Sequence, residues 1–425
     1  MRLDRRALLG AMGAGVAMAG ASAQAQTQGA APPAEPTLEA RLTARAQEHR
    51  SRLLFDGVRF SGPAYEALLE EGRAARFFCL GEEHGVAENP KLAAQLFAAL
   101  AGVGYSKACI EISPPMAREL DRAAQGGMDS VRALFTDPRA NVAFFTMREE
   151  AEWIVAARAA VRGRGQALWG LDYEVGGFGR LIDILEARRK PAAAQAAFAA
   201  MRANADTLDA AFARSRSPEH IYSFAGDPAL VAAVRAAWPN ADSDAVWMLE
   251  TLEQTLTING YWQTQQGWLS NQSRALLNRA NFRRYWERER TKPRVFFKFG
   301  ASHMVRGLTH TQVFDVGSQV SELAEAQGGR SFHVMVLPGV GAQHAQLDVR
   351  TWRYAPVAAG AYNEIGMAPL LGAAYDDAMT LIDLRPLRPL VFGRRHKALD
   401  ADLVRAVHGF DALLVMTGST ASANL

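Results

Sequence analysis

Phe77-Phe78-Cys79-Leu80-Gly81-Glu82-Glu83-His84-Gly85 is an apolar run that breaks at a glycine into two carboxylates and a histidine. A run of this length reads as a buried strand, and a Gly-polar-Gly exit reads as the turn that carries functional side chains out at the strand's C-terminal end. Open α/β sheets place their ligand sites at that edge. Glu82 and His84 suit a carboxylate-oriented imidazole base, because a carboxylate fixes the tautomer of a neighbouring histidine and raises its basicity.

Outward from this stretch the chain follows a βα rhythm. The first strand is Arg76 to Leu80, and Pro90 opens a helix to about Ala101 with Leu92, Leu96, Phe97 and Leu100 on its apolar face. The second strand, Ala108 to Ile112, delivers Glu111, and Ser113-Pro114-Pro115 caps and starts the next helix. An amphipathic helix from Glu149 to Arg162 precedes a third strand, Ala167 to Leu171, which runs into Asp172-Tyr173-Glu174. Three successive strands thus end in an acid, with a histidine beside the first, and that pattern points to a convergent site.

Residues 180–290 are alanine-rich and read as a helical insertion between the third and fourth strands, with a long helix from about Asp242 to Asn278. Trp247, Tyr261, Trp262 and Trp268 on it are candidates to line an apolar pocket. A fourth strand, Arg294 to Phe299, exits through Gly300-Ala301-Ser302 onto His303, the second glycine-to-histidine exit in the chain. A helix over Phe314 to Ala326 and strands over Ser331 to Leu337, Met379 to Leu384 and Asp411 to Met416 complete the pattern. It predicts an α/β fold with a mainly parallel central sheet flanked by helices.

Ahead of the first strand, helices are expected over Leu38 to His49 and Tyr65 to Ala75. Residues 1–25 read as an export signal: Arg2, Arg5 and Arg6 precede an apolar segment that ends in Ala-x-Ala sites, and Asp4-Arg5-Arg6-Ala7-Leu8-Leu9 resembles a twin-arginine motif. Residues 26–45 read as a flexible leader and 46–420 as the folded domain, in the periplasm or secreted, with no membrane span in the mature chain. Without the signal, 44 basic residues face 43 acidic ones, since it holds three of the 47 Lys and Arg and one of the 44 Asp and Glu. That balance gives no basic field for nucleic acid. The two cysteines, Cys79 and Cys109, lie in the first two strands, where neighbouring parallel strands would bring them close; otherwise they are small core residues.

Leu80-Gly81-Glu82-Glu83-His84-Gly85, Glu111, Gly170-Leu171-Asp172 and Lys298-Phe299-Gly300-Ala301-Ser302-His303 together resemble the erythromycin esterase-like family. Arg274 to Asn281 is similar to that family's Arg-Asp-x-x-Met-Ala-x-Asn helix, and Phe410 to Leu414 to its closing strand. The resemblance spans roughly residues 76–416. It implies a hydrolytic α/β fold with a deep cleft and an imidazole that activates water without a metal. By position it implies His84 as base, Glu82 and Glu111 as acids, Arg274 as an anion or carbonyl contact and His303 as a second imidazole. Glu83, Asp172 and Lys298, beside these residues in the sequence pattern, are expected to contact the substrate. The chain has one residue fewer between Gly81 and His84 than the family's usual Gly-Glu-Ala-Thr-His-Gly. Where that family has two histidines three apart, either Arg306 or Gly300 replaces one of them. The wider fold group also includes haem-binding ChaN-like and metal-dependent TraB/Tiki-type proteins.

The expected chemistry is hydrolysis of a small-molecule ester or lactone by His-activated water, with no cofactor. No Gly-x-Ser-x-Gly elbow supports a serine nucleophile. The alternative is a binding protein for haem or a divalent metal, with Glu82, His84, Glu111, Asp172 and His303 as a mixed N/O ligand set.

Overall fold

The computed structural model describes residues 35–425 apart from 162, 164, 361–365, 394–396 and 398. The signal, residues 26–34 of the leader, Arg394, Arg395 and His396 lie outside the described residues. The folded unit is Leu38–Leu425. It opens with the helix Leu38–Glu48, whose Leu42 and Ala46 are buried, so residues 38–45 of the expected leader are part of the fold.

The strands are β1 (Arg50–Phe55), β2 (Phe60–Ser61), β3 (Phe77–Glu82), β4 (Tyr105–Ile110), β5 (Leu168–Gly170), β6 (Arg294–Gly300), β7 (Ser331–Pro338), β8 (Gln343–Asp348), β9 (Arg353–Ala358), β10 (Met379–Asp383) and β11 (Ala412–Met416). Among the described residues, nine of them form one sheet in the order β2-β1-β10-β11-β7-β3-β6-β4-β5. From β11 to β5 all neighbours are parallel. β10, β1 and β2 continue the sheet antiparallel at one edge, and β8 and β9 form a separate antiparallel hairpin.

β3 lies between β7 and β6 within the parallel part of the sheet, and all six of its residues are buried. Period-two alternation sends Phe78 and Leu80 into the core on one face and Phe77 and Cys79 into the core on the other. A strand covered on both faces has to be apolar throughout, and that is why the run reads without alternation. Phe78 stacks on Phe296 at 5.1 Å on the first face, and Phe77 packs edge-on to Phe282 at 5.9 Å on the second.

β6 returns from the helical insertion and inserts between β3 and β4. This separates the cysteines, because Cys79 and Cys109 both pair in register with Phe297 from opposite sides. Two strand spacings, about 9.6 Å, exceed the span of a disulfide. Both thiols are free and buried, and burial pushes both pKa values up.

The insertion is helical from Phe178 to Arg288, and its Leu181, Leu185, Phe198, Met201, Val231 and Leu252 share the core of the sheet. The expected long helix is two, Ser243–Gln263 and Gly267–Arg288. The break is a helix-terminating turn in which Gln265 adopts φ 60° and the Gln266 amide reaches back to the Tyr261 carbonyl at 2.8 Å. The two helices then run antiparallel, with the Ser270 hydroxyl donating to the Ile258 carbonyl at 2.9 Å. Among the described residues no helix is long and apolar enough to cross a membrane.

Candidate active site

Inserting β6 between β3 and β4 assembles the site. Register sets Glu82 beside Gly300, while Glu111 follows β4 and Asp172 follows β5 by two residues, so the three acids and the Gly300–His303 turn meet at one edge of the sheet. They form the floor of a cleft of about 680 Å³. Glu82, Glu83, His84, Glu111, Asp172, Arg274 and His303 line it, and Ile112, Phe144, Val305, Met335, Leu337 and Phe410 supply apolar wall.

Glu111 is the hub. Its Oε2 accepts from the Gly300 amide at 2.6 Å and lies 3.3 Å from His84 Nε2. Its Oε1 accepts from Arg274 Nη2 at 2.7 Å and lies 3.3 Å from His303 Nε2. Outward from the hub, His84 Nδ1 stands 3.2 Å from Glu82 Oε1, and His303 Nδ1 stands 2.6 Å from Asp315 Oδ2. The result is an alternating row: Asp315, His303, Glu111, His84, Glu82.

Charge alternation sets the protonation states. Burial opposes the proton on His84, but Glu111 and Glu82 outweigh it and push the pKa up to about 10. Burial and Arg274 both oppose the proton on His303, but Asp315 and Glu111 push it, too, up to about 10. Burial would raise Glu111, yet the two imidazoles hold it well below the usual carboxylate range. At neutral pH both imidazoles therefore carry a proton, and Glu111 between them is ionised.

Arg274, from the helix Gly267–Arg288, donates through Nε to Asp172 at 3.0 Å and lies over the Tyr173 ring at 5.0 Å. Lys298 departs from expectation. It does not line the cleft but is buried behind it, where its ammonium donates to Glu82 Oε1 and Glu150 Oε1, each at 2.6 Å. The reason is alternation: Lys298 shares the face of β6 that carries Phe296, and the helix Arg148–Ala160 covers that face, with Trp153 5.8 Å from Phe296.

The two positions where a second family-like histidine is missing resolve differently. Arg306 ion-pairs with Asp411 and donates to the Ser331 carbonyl at 2.9 Å, away from the cleft lining. Gly300 is in the site. A Cβ there would stand 3.2 Å from both Glu111 Oε2 and His84 Nε2, so the bare glycine lets these two groups approach its backbone.

Gly85, next to His84, has φ 83°, and a Cβ on it would come within 2.3 Å of the Ala345 carbonyl oxygen. The Gly85→Ala variant is expected to lose about 1–3 kcal/mol of stability, read as a lower denaturation midpoint with an unchanged m-value.

Several contributors escape the sequence reading. Asp315, which orients His303, is the N-cap of the helix Val316–Ala326 and accepts from the Val316 amide at 2.6 Å. Glu150 hides in the charged start of its helix. Phe144 stacks on the His84 ring at 3.9 Å with φ 68°, and its amide donates to the Tyr354 hydroxyl of β9 at 2.6 Å. His310 also reaches the cleft, 3.2 Å from the Ser302 hydroxyl. By contrast, His333 is a core residue whose Nδ1 meets the Met304 carbonyl at 2.6 Å, and burial pushes its pKa down to about 3. None of Trp247, Tyr261, Trp262 and Trp268 lines the cleft; Trp247 is buried and Trp262 and Trp268 are exposed.

Comparison with solved structures bears on the architecture. A point mutant of the erythromycin esterase EreC in its open conformation superimposes with a TM-score of 0.58, over 89% of this chain and 98% of that one, at 14% identity. The chain has the fold of the erythromycin esterase-like group. A protein from Bacillus cereus gives a TM-score of 0.58 over 92% of this chain and all of its own, at 14% identity. A succinoglycan biosynthesis protein gives 0.56 over 91% and 99%, also at 14% identity. Identity this low carries the fold and not the chemistry. No family model and no curated protein sequence matches the chain.

Proposed function

We propose that the protein is a hydrolase that cleaves an ester or lactone of a small molecule, with His84 as the base that activates water. One observation carries this reading: a single carboxylate, Glu111, is shared by His84, His303 and Arg274 on the floor of an otherwise largely apolar cleft. His84 keeps 25% of its side chain exposed, so a water molecule has access to it. In the reaction, water gives its proton to neutral His84 and attacks the carbonyl. Arg274 and His303, both cationic, face the oxyanion that forms, and the imidazolium of His84 returns the proton to the leaving alkoxide.

The haem or metal alternative fits these residues poorly. The carboxylates of that ligand set are engaged elsewhere, Glu111 by His84, His303 and Arg274 and Glu82 by Lys298. Asp172, the fifth member of the expected ligand set, is engaged by Arg274. Among the described residues no group of three or more His, Cys, Asp and Glu side chains is arranged to hold a metal ion.

The pH dependence follows from the His84 pKa of about 10. A base must be neutral, and at pH 7 about one His84 in a thousand is. The expected enzyme-dependent rate climbs about tenfold per pH unit from neutral pH and stops rising near pH 10, where His303 begins to lose the charge that faces the oxyanion. Initial rates on chromogenic short-chain esters, corrected for spontaneous hydrolysis, check it; a rate that falls from pH 7 to pH 9 contradicts a base of raised pKa.

We also infer that the protein is exported, from the Arg-rich start and Ala-x-Ala sites of residues 1–25. Expression of the full chain is expected to release a mature form shortened at its N-terminus, read by intact mass.

A further inference from the structure

Behind His84 lies a buried group that the proposed reaction does not use. The Lys298 side chain is 3% exposed, and its ammonium sits between Glu82 and Glu150. Glu82 Oε1 is shared, accepting from Lys298 at 2.6 Å while facing His84 Nδ1 at 3.2 Å. The other oxygens of Glu82 and Glu150 are buried without a hydrogen-bond partner among the described residues. When Glu150 is ionised, the two acids against one ammonium leave negative charge in excess beside the imidazole.

We propose that Lys298 and Glu150 are positioning residues that act through Glu82 to set how tightly His84 holds its proton. Lys298 loosens the hold by drawing on the Glu82 oxygen that His84 faces. Glu150 tightens it by adding negative charge and by sharing Lys298. This inference rests on the reading of His84 as the base.

The surroundings let the triad speak mainly to His84. Glu149, the next residue, turns away to the Ala423 amide and Arg148, and Glu88 is taken up by Thr420. From the hairpin, burial pushes the Tyr354 hydroxyl up to about 12, so it contributes no charge at neutral pH. Glu111, on the far side of His84, also acts on it, and Glu83 is its chain neighbour in the cleft lining. Burial and repulsion from Glu82 push Glu150 up to about 7 against the pull of Lys298, so the triad itself changes charge across neutral pH.

The test is the titration of His84 in the mature protein with isotope-labelled histidine, followed by NMR, assigned with His84→Ala and run beside the pH–rate profile. Glu150→Gln removes a negative charge and is expected to lower the apparent His84 pKa by about one unit. Lys298→Met removes a positive charge and is expected to raise it by about as much, and Lys298→Arg to restore it. A purely structural role would change stability or turnover without moving the two variants in opposite directions. Shifts in the same direction, or none, overturn the proposal. Should Lys298→Met fail to fold, Glu150→Gln decides alone: a fall in the His84 pKa supports the proposal and no fall overturns it. Opposite shifts in a protein without ester turnover uphold this inference and defeat the hydrolase reading; turnover with an unmoved His84 does the reverse.

Discussion

Replacing Glu111 by alanine is expected to abolish ester turnover and to lower the stability of the folded protein by about 3–5 kcal/mol, the cost of leaving buried charges without their partner. Glu111 is buried and meets His84, His303 and Arg274 at once. Asp172 still holds Arg274 and Asp315 still holds His303, but three cations then face one another across the vacated space. The pKa values of His84 and His303 should both fall, since each loses a carboxylate that holds its proton. Denaturant unfolding and histidine NMR of Glu111→Ala read the two effects separately. A variant as stable and as active as the parent would mean that the row of alternating charges is not what organises the site.

Replacing His84 by alanine should have the opposite balance, with large loss of activity and little loss of fold. General base catalysis contributes about 10²–10⁴ in rate, and that is the expected deficit on any ester the parent hydrolyses. The fold should survive because neither carboxylate is stranded. Glu82 keeps Lys298, and Glu111 keeps Arg274, His303 and the Gly300 amide. Circular dichroism and the denaturation midpoint check the first condition, and initial rates check the second.

How much of this was legible beforehand depends on whether a residue's role is local. The β3 run was readable because a strand buried on both faces has to be apolar, and its glycine exit announces where the side chains emerge. Glu111 and Asp172 were readable as acids closing successive strands. Strand order was not: nothing local says that β6 inserts between β3 and β4, and that one fact separates the cysteines and puts Gly300 against His84. Lys298 stood out as a charge among phenylalanines, but whether it faces the cleft or the covering helix depends on which face that helix takes. Asp315 carried the signal of an ordinary N-cap, and only the fold turns the cap toward His303. Phe144 and the β8–β9 hairpin had no signal at all. The hairpin strands Gln343–Asp348 and Arg353–Ala358 are largely exposed, so they show no hydrophobic period.

The most direct measurement is ester turnover by the purified mature protein across pH 7 to pH 10, with His84→Ala in the same buffers. The rate is expected to rise with pH up to about pH 10 in the parent and to stay about 10²–10⁴ lower in the variant. Equal turnover by parent and variant at every pH would contradict the claim that His84 activates water.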